Sequence, residues 1–311
     1  MLCRHGDCDI LVNKKGLDLK PIISVILTCY NQEKYIKKCL DGIVMQQNCP
    51  PFEVIVGDDC STDNTRKIIS TYAKKYKNIT VLDRKNNVGM LNNLKQCFEN
   101  CRGEYIAICE GDDYWTDKEK LKKQYDALSC DDEAYICFSN IKLLEGGKYI
   151  SHVPNQKQKI TDKITVWDML DCNYIANFSC VMYKKQAINL VPCSYWKNNL
   201  NADCIMHLYM LNASKHAIFL KKPMGVYRIL KHSISHKDAY PISLIKLIRM
   251  METFNKATRC KYQEKLDKLY EQVFPVVSKN VIVQQYKRLL GISVPCFSKR
   301  FFVGIGLKNR K

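Results

Sequence analysis

The sequence predicts an α/β fold, a mainly parallel sheet with helices on both faces, followed by a basic helical extension. Three observations carry this. Continuous apolar, β-branched runs alternate with stretches whose apolar residues recur at helical spacing. Polar residues gather just after those runs, at the sheet edge where ligands bind in such folds. Beyond about residue 238 the pattern becomes one of amphipathic helices carrying many lysines and arginines.

The elements follow in order. "PIISVILTCY" is a first strand covered on both faces, and Tyr35, Ile36, Cys39, Leu40, Ile43 and Val44 mark a helix after it. "FEVIVGDD" is a second strand; Ser61 and Thr62 then offer N-cap oxygens to a helix carrying Ile68, Ile69, Tyr72 and Tyr76. "NITVLDR" is a third strand, Leu91, Leu94, Cys97 and Phe98 a third helix, and "GEYIAIC" a fourth strand. Past Leu128 the periodicity loosens. "AYICFSNIKLL" reads as a strand, "GGKYISHVPNQKQKITDK" as a polar loop and "TVWDMLDCNYI" as a helix. "NFSCVMYKK" is again a strand, "DCIMHLYMLNAS" a helix, "HAIFLKKPMGVYRIL" a strand and "SLIKLIRMMETF" the clearest amphipathic helix. The expected division is an N-terminal extension over 1–20, a large domain over 21–236 with halves 21–115 and 116–236, and a helical basic region over 237–311.

The chain has 311 residues, 46% hydrophobic and 26% charged, an ordinary globular composition. No run approaches the ~18 apolar residues of a membrane span, and the N-terminus has no apolar segment of a signal peptide. A cytoplasmic protein is expected. The 17 cysteines form no C-x-x-C pair, and Cys29, Cys109 and Cys137 lie inside apolar runs. That is the usage of a reduced compartment rather than a disulfide framework. Cys3, His5 and Cys8 lack the second half of a metal site. Of the net charge of +18, the stretch from Pro241 onward contributes fifteen lysines and arginines against four acidic residues. An anionic membrane or nucleic acid would both attract it, but no zinc-finger spacing or RRM signature is present.

Chemistry concentrates at one edge. Asp112 and Asp113 follow the fourth strand, Asp58 and Asp59 the second, and Thr28, Tyr30 and Asn31 the first. Two adjacent carboxylates repel, and a divalent cation removes that repulsion while bridging to a diphosphate. A bare acidic pair also serves as a turn or a helix cap; three polar clusters on one edge favour a site. Tyr30 is placed to stack on a base and Asp59 to accept from a ring N–H. No P-loop or G-x-G-x-x-G opens the first helix, which excludes a P-loop NTPase or a dinucleotide enzyme.

"SVILTCYNQEKYIKKCLDGI", "FEVIVGDDCSTDNT", "NNVGMLNNL" and "GEYIAICEGDDYWTDKEKL" together resemble the bacterial family 2 glycosyltransferases of the GT-A fold. The likeness extends over about residues 21–235. It implies transfer of a sugar from a UDP- or dTDP-type donor, aided by Mn2+ or Mg2+, usually with inversion. By the same resemblance Thr28, Tyr30 and Asp59 would hold the nucleobase, with Asn31 and Glu33 among the donor-nucleotide contacts. Asp112 would lie near the ribose or sugar and Asp113 would bind the metal. Trp115 would be a packing anchor or a substrate contact. Asp203, opening the helix of "NADCIMHLYML", would be the base, although Ala202 precedes it where the family carries Glu or Gly. In "YRILKHSIS" Leu230 stands where the family often has a metal-binding His, and His232 is the substitute candidate. The family's Q-x-x-R-W of processive synthases is missing, which favours adding one sugar. A glycan or lipid-linked acceptor in surface polysaccharide synthesis is implied, at the inner face of the cell membrane, with the basic C-terminus making a peripheral contact there and nucleic acid not a partner. The rival readings are a sugar-nucleotide pyrophosphorylase, which lacks its Gly-rich signature here, and a non-catalytic basic binding or scaffold module.

Overall fold

The computed structural model describes residues 20–151, 161–171, 173–175, 177–197, 202–230 and 240–278. The chain divides into two units, Met1–Lys237 and Asp238–Lys311.

In the first unit, β1 (Ile23–Cys29), β2 (Phe52–Asp58), β3 (Ile79–Val81) and β4 (Tyr105–Glu110) lie parallel in the order β3-β2-β1-β4. Ile23, Val25, Ile26 and Leu27 are all fully buried, as a strand covered on both faces requires. Helices α1 (Ile36–Val44), α2 (Thr65–Lys75) and α3 (Met90–Asn100) make the crossovers. On α1 the buried set Ile36, Cys39, Leu40 and Ile43 has the three-and-four spacing of one helical face. α2 begins later than the sequence predicts. Ser61 Oγ accepts the Asn31 N–H and Thr62 Oγ1 donates to Asn31 Oδ1, and it is Asp63 that accepts the Thr65 N–H at 2.9 Å.

The second half contains β5 (Tyr114–Trp115), α4 (Lys120–Ser129), β6 (Ala134–Glu145), β7 (Lys148–Ser151), β8 (Lys163–Ile164) and α5 (Val166–Asp171). A 3-10 turn at Phe178–Cys180 then leads into β9 (Val181–Lys184), α6 (Ala202–Ala213) and the long β10 (His216–Ile229). The sheet continues as β4-β9-β6-β10-β5. β9 runs antiparallel to both β4 and β6, whereas β6 and β10 are parallel, so the parallel first half is joined to a mixed second half. Part of the segment read as a polar loop forms β7, paired antiparallel with β6. Gly146 and Gly147 both have positive φ, the backbone of a two-residue hairpin turn.

One close approach fixes the edge that carries the acidic pair. A Cβ on Gly42 of α1 would lie 2.8 Å from the Trp115 carbonyl oxygen, so only glycine lets α1 sit against β5. Trp115 itself is buried, and its Nε1 donates to the Ser179 carbonyl at 2.9 Å. It is a packing anchor.

In the second unit, α7 (Tyr240–Ala257) and α8 (Gln263–Ser278) are joined by a turn in which Arg259 and Cys260 have positive φ. Asn255 holds that turn, its Oδ1 accepting the Tyr262 N–H at 2.9 Å and its Nδ2 donating to Gln263 at 2.8 Å. Ile245, Ile248 and Val273 pack with Leu269 and Tyr270, and the Phe254 and Tyr262 rings stack 5.2 Å apart. The segment from 279 onward, the end of the expected basic docking region, lies outside the described residues. Among the described residues no helix is long and apolar enough to cross a membrane.

Candidate active site

The carboxyl ends of β1, β2 and β4 are pinned together by backbone bonds. Asp59 N–H donates to the Cys29 carbonyl and Gly111 N–H to the Thr28 carbonyl, both at 2.9 Å. Side chains then clasp the first two loops. Asn31, at positive φ, receives the Thr62 N–H on its Oδ1 at 2.8 Å, while its own N–H donates to Ser61 Oγ at 2.9 Å. Glu33 Oε2 accepts from the backbone and side chain of Asn64 at 3.0 and 2.9 Å. Asn31 and Glu33 thus serve the loop–loop clasp, and Tyr30 is left 48% exposed beside it. Asp59 is buried, with its two oxygens accepting the N–H groups of Val88 (2.7 Å) and Gly89 (2.9 Å). It ties the "NNVG" segment to the carboxyl edge of the sheet.

Beyond β4 the two aspartates part. Asp113 is fully enclosed, and three donors fill it: Asn177 Nδ2 at 2.5 Å, Ser179 Oγ at 2.6 Å and the Arg228 N–H at 2.9 Å. Ser179 in turn receives the Glu110 N–H at 3.0 Å, so β4, the turn before β9 and the end of β10 meet at this carboxylate. Asp112 is only partly buried, and its carbonyl accepts from the Arg228 guanidinium. That guanidinium carbon lies 4.5 Å from the Tyr114 ring centre and 5.1 Å from that of Tyr35.

Asp203 reaches the same neighbourhood from the first turn of α6. Its Oδ1 accepts the Cys204 N–H at 2.8 Å. Burial pushes its carboxyl above the ordinary range, against the pull of the backbone donors of Cys204 and of Asp203 itself. Glu110 is pushed up strongly by burial and then by the charges of Asp113, Asp112 and Asp203, which places the four carboxylates in one field. Burial likewise raises Asp112, with Arg228 opposing, and Asp113, where Asp112 adds to the effect and its hydrogen bonds oppose it. Beneath this group Tyr183 OH lies 2.7 Å from His207 Nε2, and burial lowers the His207 imidazole to about 3.

Thr28, Tyr30, Asp59, Asp112, Asp113 and Asp203 therefore come from four different segments to one side of the sheet. His232 and the Cys3/His5/Cys8 cluster lie outside the described residues. Among the described residues no three His, Cys, Asp or Glu side chains are set to hold a cation by themselves. Asn177, Ser179 and Arg228 are the residues that sequence reading missed. Arg228 stood in the quoted "YRILKHSIS" without a role, and nothing in "NFSCV" marks two polar side chains as partners of an aspartate 64 and 66 residues earlier.

A parallel half with an acidic loop beyond its fourth strand, joined through one antiparallel strand to a half that returns an arginine and an aspartate to that edge, defines a GT-A-type α/β fold. The family model described as "Glycosyl transferase family 2" matches residues 24–188, more than half of the chain, and the chain belongs to that family. An uncharacterized protein of Mycobacterium tuberculosis is 35% identical over 221 residues, 69% of this chain and 60% of its own. The chain thus spans about 60% of the length of that relative. The putative teichuronic acid biosynthesis glycosyltransferase TuaG of Bacillus subtilis is 38% identical over 109 residues, 35% of this chain and 42% of its own. Among solved structures, the mannosyltransferase PcManGT from Pyrobaculum calidifontis in complex with GDP-Man and Mn2+ shares the fold at TM-score 0.60. That match has 16% identity and covers 93% of this chain and 81% of the other.

Proposed function

We propose that this chain transfers a single sugar from a nucleotide-sugar donor to a glycan or lipid-linked acceptor in surface polysaccharide synthesis, with inversion. The observation that carries this is the convergence of Glu110, Asp112 and Asp203 on the ligand edge of the sheet, with Asp113 as the buried anchor beneath them. The relation to a teichuronic acid enzyme supports the polysaccharide setting. In this reading residues 21–115 hold the donor, 116–236 the acceptor, and 237–311 dock at the anionic inner face of the membrane.

Each side chain has a task that its surroundings support. Tyr30 offers an exposed ring for a base to stack on, with Thr28 beside it. Asp59 retains lone pairs for a ring N–H of a UDP- or dTDP-type base, next to the N–H groups it already holds. A divalent ion, Mn2+ or Mg2+, fits Asp112 rather than Asp113, because Asp113 is fully enclosed among three protein donors while Asp112 is only partly buried. The remaining ligands would be phosphate oxygens of the donor, in keeping with the lack of a three-residue protein cage among the described residues. Such an ion, when bound, neutralises charge on the departing diphosphate. Asp203 takes the proton from the acceptor hydroxyl as that oxygen attacks, its raised affinity for protons suiting a base working near neutral pH.

The test is nucleoside diphosphate release from a panel of UDP-, dTDP- and GDP-sugars with Mn2+ or Mg2+. Turnover with one donor, lost in Asp112→Asn and in Asp203→Asn, is the expected result. No release from any donor, together with tight and salt-sensitive binding to DNA or RNA, would sink the proposal in favour of a basic binding module.

A further inference from the structure

A second feature lies beside the acidic edge. Lys38, exposed on α1, holds its Nζ 4.0 Å from the centre of the Tyr114 ring, and the Arg228 guanidinium lies 4.5 Å from the same ring. The Tyr114 hydroxyl is 2.9 Å from that of Tyr149 on β7, whose ring is 61% exposed. Lys142, exposed on β6, places its Nζ 5.9 Å from the Tyr149 ring. The neighbouring Lys37 is paired with Asp41 at 2.9 Å, but Lys38, Lys142 and Arg228 have no carboxylate ion pair among the described residues. Three cations are thus held against tyrosine faces; Arg228 also faces the charge of Asp112, while Lys38 and Lys142 have no carboxylate partner among the described residues, and α1, β5, β6, β7 and β10 all contribute. A cation kept over a ring is partly desolvated and fixed in place, which prepares it for an incoming anion.

We propose that this cluster seats a phosphate-bearing acceptor chain, with Lys38, Lys142 and Arg228 reading phosphodiesters and the Tyr149 face receiving the intervening polyol or sugar. Arg228 joins this seat to the reacting edge, since its guanidinium donates to the Asp112 carbonyl and its N–H to Asp113. An anion docked on Arg228 lies next to the carboxylates that would act on its hydroxyls. The assignment rests on the transferase reading above and names its acceptor as anionic rather than neutral.

The experiment measures binding of a synthetic glycerol-phosphate oligomer to the full chain with no donor present. Affinity should fall steeply with added salt. The Lys38→Gln/Lys142→Gln pair should weaken it about tenfold, a change of ~1.4 kcal/mol. Lys67→Gln/Lys74→Gln, an equal charge change on exposed positions of α2, should leave it unaltered. A neutral maltooligosaccharide of equal length should bind more weakly than the phosphate oligomer. Phosphatidylglycerol vesicles form the lipid arm. Unchanged oligomer affinity in the Lys38/Lys142 variant overturns the proposal, whether or not vesicle binding falls. Equal loss in the α2 variant, or equal affinity for the neutral chain, overturns it too. Oligomer binding is read without donor and donor release without oligomer, so failure of the catalytic reading and failure of this one remain distinguishable.

Discussion

At the scale of residues, Asp112 and Asp113 adjoin in the chain but have opposite surroundings, and their variants should separate. In Asp113→Asn an amide N–H would replace one acceptor: beside Arg228 it meets a backbone N–H that cannot turn to accept, and beside Asn177 and Ser179 those side chains must reorient. An unsatisfied buried donor costs about 1–3 kcal/mol. Asp113→Asn should therefore lower the unfolding free energy from urea melts by that amount and move the midpoint down, whereas Asp112→Asn should keep the midpoint and lose donor turnover by 100-fold or more, roughly the loss on removing one essential charge stabiliser. Equal midpoints for the two variants would contradict the assignment. Asp203 gives a pH prediction. A base must be ionised, and burial raises its carboxyl, so the acid limb of kcat/KM should lie above the ordinary carboxylate value of ~3.9. The acidic pair was legible in the sequence because two charges after an apolar run stand out. Its division of labour was not, because Asn177, Ser179 and Arg228 are brought in by β9 and β10 from far along the chain.

At the scale of elements, the runs that form β1, β2 and β4 were legible because strands covered on both faces are continuously apolar. β5 is only two residues long and leaves no period to read. α4 escaped notice for a different reason. Its buried face includes Lys120 and Gln124 beside Leu121 and Leu128, so polar residues interrupt the apolar stripe. Lys120 is fully buried, its Nζ 2.5 Å from Gln124 Oε1 and 4.4 Å from the Trp115 ring centre. Burial lowers its pKa to about 8. An unfolded lysine keeps its proton to ~10.4, so between these values the unfolded state binds more protons. The contribution of Lys120 to stability should then rise with pH across that window, against the buried thiols, whose raised pKa values act in the opposite sense. Urea melts at pH 7.5 and 9.5 isolate it as a difference: the stability of the native sequence relative to Lys120→Met should increase at the higher pH. Gly42 makes a second element-level prediction. The atoms a Cβ would meet are Trp115 backbone, which cannot rotate away, so Gly42→Ala should force α1 off β5 and destabilise by about 1–3 kcal/mol. A thermal midpoint unchanged from the native sequence would refute that contact.

At the scale of the molecule, charge and fold are distributed separately. The acidic edge belongs to the first unit, while the excess of lysine and arginine accumulates past Pro241, with no acidic residue beyond Glu271. The amphipathic period made α7 legible, but sequence periodicity does not say what a basic tail meets. Electrostatics narrows it. Each lysine or arginine near an anionic bilayer contributes about 1 kcal/mol, and the attraction decays within a Debye length of ~10 Å at 0.1 M salt. The full chain should therefore sediment with phosphatidylglycerol vesicles at low salt, release as salt is raised, and ignore phosphatidylcholine. Replacing Lys287, Arg288, Lys299 and Arg300 by Gln removes four such charges, so vesicle affinity should fall by at least tenfold. Lys38→Gln/Lys142→Gln should leave vesicle binding in place, since those side chains are assigned to the acceptor. If the fourfold variant still sediments as well as the native chain, membrane contact through the basic region is wrong, and the donor assay remains the independent measure of the transferase site.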